Sequence, residues 1–290
     1  MKYWRRLPKF EYLAPESIKE VCSILAEKGG DAKLMAGGTI LLSRWKERQG
    51  VTPYLIGLKK VETLDQIDYQ EGVGLKIGAM VTHRMIANFS LIREKFEPLA
   101  TACAGLGSPQ IRNMGTIGGN LCSRFPAAEV IPPLIALGAR VKIVKSEEEK
   151  VIPVEELHKE PLKAELLTEI QIPFPPSGSG GTYLKYTLRE ALDYPTVSVA
   201  VQINKENGKC KDARIVVGAA SPFPFRAEKA EKILKGNPVG EEVIVEAGEI
   251  AWEEARPSSD MYFSGDYKRE LIKVLTKRAI KEAWEKAKIA

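Results

Sequence analysis

Two glycine-rich turns are the segments of this chain whose composition best suits them to hold a ligand. Gly37-Gly38-Thr39 follows the strand-like run Ala32-Lys33-Leu34-Met35 and precedes a helical run from Ile40 to about Arg48. Glycine permits φ > 0 and close approach, so successive N–H groups can face one concavity, and a helix starting there adds positive dipole. Both features favour a phosphate; the competing reading is a plain strand-to-helix turn. Gly115-Thr116-Ile117-Gly118-Gly119-Asn120 is a second such loop, about 80 residues further on, with hydroxyl and amide donors added. Two cradles of this kind could grip the two phosphates of a dinucleotide from opposite sides. Neither fits G-x-x-x-x-G-K-[ST], which disfavours a P-loop nucleotidase. Gly72-x-Gly74 with Gly78 sets the third glycine one place late and no helix follows, so it reads as a hairpin.

Other candidate groups are sparse. Arg112, in Gln110-Ile111-Arg112-Asn113, reads either as a phosphate or partner contact or as a surface residue anchoring the second loop. Glu129 either accepts bonds from a sugar hydroxyl or favours a helix N-terminus. Tyr183 and Lys185, if on a strand, share a face. There an aromatic could cover a flat ring and an ammonium could stabilise negative charge on a reduced ring system, or both belong to an ordinary exposed strand. His83, beside Thr82, reads as a capping or surface residue. The chain has only two histidines (His83, His158) and four cysteines (Cys22, Cys103, Cys122, Cys210), without Cys-x-x-Cys or His-x-x-x-His. Zinc and iron–sulfur sites need several ligands converging at short spacing, so no metal site is expected, and the cysteines read as buried small hydrophobes. Any redox chemistry must then come from a bound organic cofactor or a partner chain.

The 290 residues imply about two domains, with ample length for a core. With 43 Lys plus Arg against 38 Asp plus Glu, the formal charge is only +5. The basic stretch Lys268, Arg269, Lys273, Lys277, Arg278, Lys281 is interspersed with glutamates, so it reads as a solvated helix rather than a nucleic-acid face. No apolar run approaches the roughly 18 residues of a membrane span, and Met1-Lys2-Tyr3-Trp4-Arg5-Arg6 leads into no signal-peptide core, so a cytoplasmic protein is expected.

The elements that must position these groups follow from periodicity. Pro15 reads as a first helical residue, and Ile18, Val21, Cys22 and Leu25 form one apolar stripe that Gly29-Gly30 ends. With the strands at 32–35 and 53–58, residues 1–60 make a β-α-β-α-β unit. Residues 61–176 combine strands near 72–78, 139–144 and 165–172 with a helix over Leu91–Ala104; Glu147–Lys150 reads as a solvated turn. Pro173–Gly181 is the clearest linker. Beyond it, Tyr183–Leu188, Thr196–Ile203 and Ala213–Ala219 read as a three-stranded antiparallel meander, followed by helices near Arg226–Leu234, Glu241–Glu253 and Tyr267–Lys288. An α+β C-terminal domain, 177–290, is expected.

Together these segments resemble one family, the FAD-binding medium subunits of molybdenum hydroxylases, the group of aerobic carbon monoxide dehydrogenase and xanthine dehydrogenase. The matching residues are Ala36-Gly37-Gly38-Thr39, Gln110-Ile111-Arg112-Asn113-x-Gly115-Thr116-Ile117-Gly118-Gly119-Asn120-Leu121 and Pro126-Ala127-Ala128-Glu129. They continue through Tyr183-x-Lys185-x-x-x-Arg189-x-x-x-Asp193 and Gly218-Ala219-Ala220-x-Pro222-x-Pro224-x-Arg226-Ala227. The resemblance implies an α+β, two-part FAD fold of the vanillyl-alcohol-oxidase type, with the C-terminal domain closing over the flavin. It implies FAD bound by Met35, Ala36, Gly37, Gly38, Thr39 and Ile40 on one side of the pyrophosphate and by Thr116, Gly118, Gly119 and Asn120 on the other. It places Glu129 on a sugar or ribityl hydroxyl, Lys185 near the pyrimidine end of the isoalloxazine and Tyr183 in the flavin pocket. Ile40 stands where the family often has a polar residue, and Glu129 where it usually has Asp. Implied partners are a small [2Fe–2S] subunit and a large molybdenum-cofactor subunit, in a dimer of heterotrimers. A stand-alone FAD oxidase of the same fold is the alternative; a basic nucleotide-binding protein is a further rival.

Overall fold

The computed structural model describes residues 6–146, 148–157, 162–189 and 191–287. The N-terminal run through Arg5, Glu147, His158 and Lys288 lie outside the described residues. In chain order the strands are β1 (Glu11–Leu13), β2 (Ala32–Met35), β3 (Tyr54–Gly57), β4 (Ile67–Gln70), β5 (Gly74–Gly78), β6 (Arg140–Lys145), β7 (Glu148–Pro153), β8 (Leu166–Pro173), β9 (Ser179–Tyr186), β10 (Val197–Glu206), β11 (Lys209–Gly218) and β12 (Phe225–Arg226). The helices are α1 (Ile18–Lys28), α2 (Leu41–Lys46), α3 (His83–Asn88), α4 (Ser90–Lys95), α5 (Glu97–Gly105), α6 (Pro109–Met114), α7 (Ile117–Cys122), α8 (Ile131–Ala136), α9 (Val154–Leu157), α10 (Glu228–Leu234), α11 (Glu241–Glu254) and α12 (Gly265–Lys286). By compactness the chain divides into two units. One holds the residues up to Met85 with Pro109–Ser123 and Ala139–Ile172; the other holds Ile86–Ser108, Arg124–Gly138 and everything from Pro173 on.

In the first unit, β1, β3 and β2 form a parallel sheet in that order, with Leu13 opposite Ile56 and Met35 opposite Gly57. Parallel neighbours need a crossover between them, and α1 and α2 occupy the two connections. The apolar stripe of α1 buries Val21, Cys22 and Leu25 against Ile56, Leu58 and Leu64. Pro15 is not the first helical residue: Ser17 is the N-cap, its hydroxyl accepting from the Glu20 N–H at 3.2 Å, because a side-chain acceptor satisfies a first-turn donor that proline lacks. Gly29, at φ +52, ends the helix as expected. The second sheet runs β4-β5-β8-β6-β7. Its β4–β5 hairpin turns at Gly72, φ +74, as the glycine spacing predicts. Residues 148–150, read as a solvated turn, belong instead to β7. This edge strand points charges outward, and Lys142 pairs with Glu149 at 2.7 Å, a pattern that hides strand alternation.

The second unit is built on an antiparallel sheet, β12-β11-β10-β9. It has four strands, not the expected three. The fourth, β12, is two residues long, pairs Arg226 with Val216 and Phe225 with Val217, and follows Pro222 and Pro224, so it is too short to show periodicity. The predicted linker is also shorter than expected. Pro173 closes β8 and Ser179-Gly180-Gly181 open β9, where glycine is required because a Cβ on Gly180 would overlap the Ala283 carbonyl. The expected helix over 91–104 is two, α4 and α5. Phe96 leaves helical geometry at φ −130, ψ 42, and Pro98 follows inside the first turn of α5, where its missing N–H is tolerated. Val197, Val199, Val201 and Ile203 of β10 and Ile215 and Val217 of β11 pack on α10, α11 and α12. α12 contributes Ile272, Leu275, Ala279, Ile280 and Ala283, one stripe at 3.6-residue period. Its cations are partnered rather than simply solvated. Lys268 is buried and pairs with Asp260 at 2.6 Å, Lys273 reaches Glu249 at 2.5 Å, and Arg269 lies over the Trp252 ring.

Candidate functional site

In the first unit the two glycine turns, far apart in sequence, are packed together. A Cβ on Gly37 would overlap the Met114 carbonyl and sit 3.0 Å from the Gly115 Cα; a Cβ on Gly119 would meet Ala36 at 3.5 Å and the Thr116 hydroxyl at 2.9 Å. Backbone against backbone is possible only because no side chain intervenes. Gly38 adopts φ +71, which reverses the chain between β2 and α2. The helix is entered without a side-chain cap, since Ile40 occupies the N-cap position. Among the described residues the N–H groups of Gly37, Gly38, Thr39 and Ile40 donate to nothing, while the Leu42 N–H already serves the Gly38 carbonyl at 2.9 Å. Four consecutive amides in one turn are the concavity that the glycine pair predicts.

The second turn is organised differently from its reading as a loop. Thr116 is the N-cap of α7, and its hydroxyl accepts from the Gly119 N–H at 3.1 Å. The Gly118 N–H donates to Ala79 at 3.0 Å, the Ile117 N–H to Val81 at 3.0 Å and the Asn120 N–H to the Thr116 carbonyl at 2.9 Å. These amides are therefore engaged within the chain. What the turn still offers is the Thr116 hydroxyl proton and the Asn120 side chain, whose Oδ1 is buried without a hydrogen-bond partner. Such an atom costs about 1–3 kcal/mol when nothing satisfies it.

His83 is a buried residue, not a surface one. It is 2% exposed, its N–H donates to the Gly115 carbonyl at 3.1 Å, and burial lowers its pKa to about 4. The capping role belongs to its neighbour, since Thr82 accepts from the Met85 N–H at 3.2 Å and also bridges to Thr116. Arg112 lies on α6, half-buried.

In the second unit Glu129, Tyr183 and Lys185 converge. Tyr183 and Lys185 lie two apart on β9, on one face as alternation requires. Glu129 is 2% exposed and its carboxylate accepts from the Lys185 ammonium at 2.6 Å; the same ammonium donates to the Gly105 carbonyl, at the end of α5, at 2.7 Å. Tyr183 is 4% exposed. Its hydroxyl lies near Ser198 and Glu129 without a well-aligned hydrogen bond, and burial first, then the Glu129 charge, holds its pKa well above the usual phenol value. The spacing of Tyr183 and Lys185 foretold the shared face. Nothing in the sequence foretold that Glu129, 56 residues from Lys185, would be its counter-ion.

Comparison with known proteins agrees with both units. Residues 8–175 match the family described as FAD binding domain in molybdopterin dehydrogenase, and residues 182–283 match the CO dehydrogenase flavoprotein C-terminal domain. The chain belongs to this flavoprotein family. Its cofactor is FAD, and its members are components of oxidoreductases. The carbon monoxide dehydrogenase medium chain of Afipia carboxidovorans is 31% identical over 286 residues, covering 96% of this chain and 98% of that one. The xanthine dehydrogenase FAD-binding subunit of Escherichia coli O157:H7 is 26% identical over 278 residues, covering 94% and 95%. Among solved structures, carbon monoxide dehydrogenase from Hydrogenophaga pseudoflava superposes with a TM-score of 0.93 at 30% identity, covering 98% of this chain and all of that one.

Proposed function

We propose that this chain is the flavin-carrying, electron-transferring subunit of a heteromeric molybdenum hydroxylase. It would accept electrons from the [2Fe–2S] clusters of a small partner subunit, themselves fed by a large molybdenum-cofactor subunit, and pass them to an external acceptor. A dimer of such heterotrimers in the cytoplasm is the assembly this reading expects. The observation that carries it is the apposition of Gly37 to Met114–Gly115 and of Gly119 to Ala36, beside four amides with no acceptor of their own. Medium-chain and FAD-binding-subunit relatives aligned almost end to end support the subunit role.

The residues fit FAD. The amides of Gly37 to Ile40 suit pyrophosphate oxygens, the Thr116 hydroxyl can donate while still capping α7, and Asn120 brings an unsatisfied polar side chain. Met35, Ala36, Gly118 and Gly119 act by close backbone packing rather than by polar groups. Glu129, Tyr183 and Lys185 complete the proposed set, with the ammonium held where electron density would accumulate on reduction. Bound FAD supplies a carrier that exchanges electrons singly or in pairs. Which substrate the complex oxidises is a property of the large subunit, consistent with relatives named for substrates as unlike as carbon monoxide and xanthine.

The test is purification of the full chain from its native host. The expected result is a yellow preparation with visible flavin absorption and two co-purifying chains. A colourless protein that takes up no FAD on reconstitution would overturn the FAD assignment; a lone flavoprotein turning over its own substrate would favour the stand-alone oxidase.

A further inference from the structure

A buried carboxylate is costly unless it is paired, and Glu129 is almost wholly buried. Its partner, Lys185, is held at two points: the Glu129 carboxylate at 2.6 Å and the carbonyl of Gly105 at 2.7 Å. Gly105 is the last residue of α5, where unsatisfied carbonyls and the negative end of the helix dipole both attract a cation. An ammonium has three protons, and two are thus engaged. The third has no acceptor among the described residues, on a side chain that is 21% exposed. The outcome is an ammonium fixed in place, nearly neutralised by its counter-ion, with one directed donor to spare.

We propose that Glu129 is a positioning residue that acts through Lys185, aiming its remaining N–H at an electron-rich oxygen of the bound flavin, rather than a direct ligand of a cofactor hydroxyl. The inference rests on the FAD reading above and deepens it. Glutamate, one methylene longer than aspartate, is what lets the carboxylate reach Lys185 from the turn before α8. Tyr183 belongs to the same arrangement. Its buried hydroxyl lies beside Glu129 and, kept protonated, can only donate towards the carboxylate, which holds the carboxylate ionised and facing the lysine.

The discriminating experiment is a spectroelectrochemical titration of the FAD-loaded full chain in four forms: wild type, Glu129→Gln, Lys185→Met and the double variant. Flavin content is measured alongside. All four are expected to retain FAD. Lys185→Met should lower the flavin midpoint, because a cation near the reduced ring is lost. Glu129→Gln should raise it, because the ammonium loses its counter-ion but keeps an acceptor. In the Lys185→Met background, Glu129→Gln should add almost nothing, since an unpaired buried carboxylate takes up a proton and is already neutral. Equal shifts from Glu129→Gln in both backgrounds would overturn the proposal, as would loss of FAD from Glu129→Gln while Lys185→Met keeps it. Should Glu129→Gln fail to fold, Glu129→Asp serves. It keeps the charge but shortens the reach, so it should move the midpoint in the wild-type background and leave it unmoved beside Lys185→Met; no movement in the wild-type background would overturn the proposal. A wild-type chain that never binds FAD would instead sink the parent reading, so the two failures are distinguishable.

Discussion

Asn120 gives the sharpest residue-level prediction. Its Oδ1 is buried and without a partner, so Asn120→Ala removes no internal hydrogen bond made by that oxygen. Thermal stability without FAD should stay essentially unchanged, while FAD affinity measured by fluorescence titration should fall about 2–10-fold, the worth of one hydrogen bond. A melting temperature that drops with unchanged FAD affinity would make Asn120 a purely structural residue. His83 predicts a pH dependence. Burial holds its pKa near 4 against 6.5 for an ordinary histidine, so the unfolded chain binds the proton first as pH falls. The contribution is present in full above about pH 6.5 and is lost as pH falls from there to about 4, on the order of 3 kcal/mol in all. His83→Gln should flatten that limb of the stability curve in urea titrations. Because the His83 N–H holds the Gly115 carbonyl, the loss of FAD on acidification should follow the same curve.

At the scale of elements, the two glycine turns stand or fall together. Gly37→Ala would drive a methyl group into the Met114 carbonyl and part the strand end from the α6–α7 turn. It should cost about 1–3 kcal/mol of stability, as overpacking does, and abolish FAD retention; flavin content equal to wild type would show that the apposition is not the cradle. In the second unit the loop before α12 is tied by Asp260. The Lys268 ammonium first, then the Tyr262 and Phe263 amides, lower its pKa to about 2 from 3.8. That stabilisation is complete above about pH 4 and lost as pH falls through about 2. Since Asp260 is largely exposed, the effect is small, and Asp260→Asn should flatten acid unfolding only within that window. Much of this level was legible in the sequence. The α1 stripe, the Gly72 hairpin, the β9 face and the three C-terminal helices follow from periodicity and from glycine and proline. What escaped had no period to display: a two-residue β12, a β7 edge disguised by glutamates, a helix broken at Phe96. The second turn misled for another reason, because a glycine-rich segment reads as a loop until Thr116 is seen capping it.

For the whole molecule, the glycine motifs pointed to the cofactor because their order and spacing along the chain are independent of how the units are arranged. The Glu129–Lys185 pair was not legible, because sequence spacing carries no information about which charge on one element meets which on another. The central claim is that the turns at 37–40 and 116–120 clasp one FAD molecule. Hydrogen–deuterium exchange of the full chain, with and without FAD, tests it directly, since the amides of Gly37 to Ile40 have no internal acceptor and should exchange quickly unless a ligand takes them. The account predicts strong protection of peptides covering 37–40 on adding FAD, with a smaller gain over 116–120, where the amides are already bonded. Saturating FAD that protects other segments but leaves 37–40 exchanging at its ligand-free rate would contradict it.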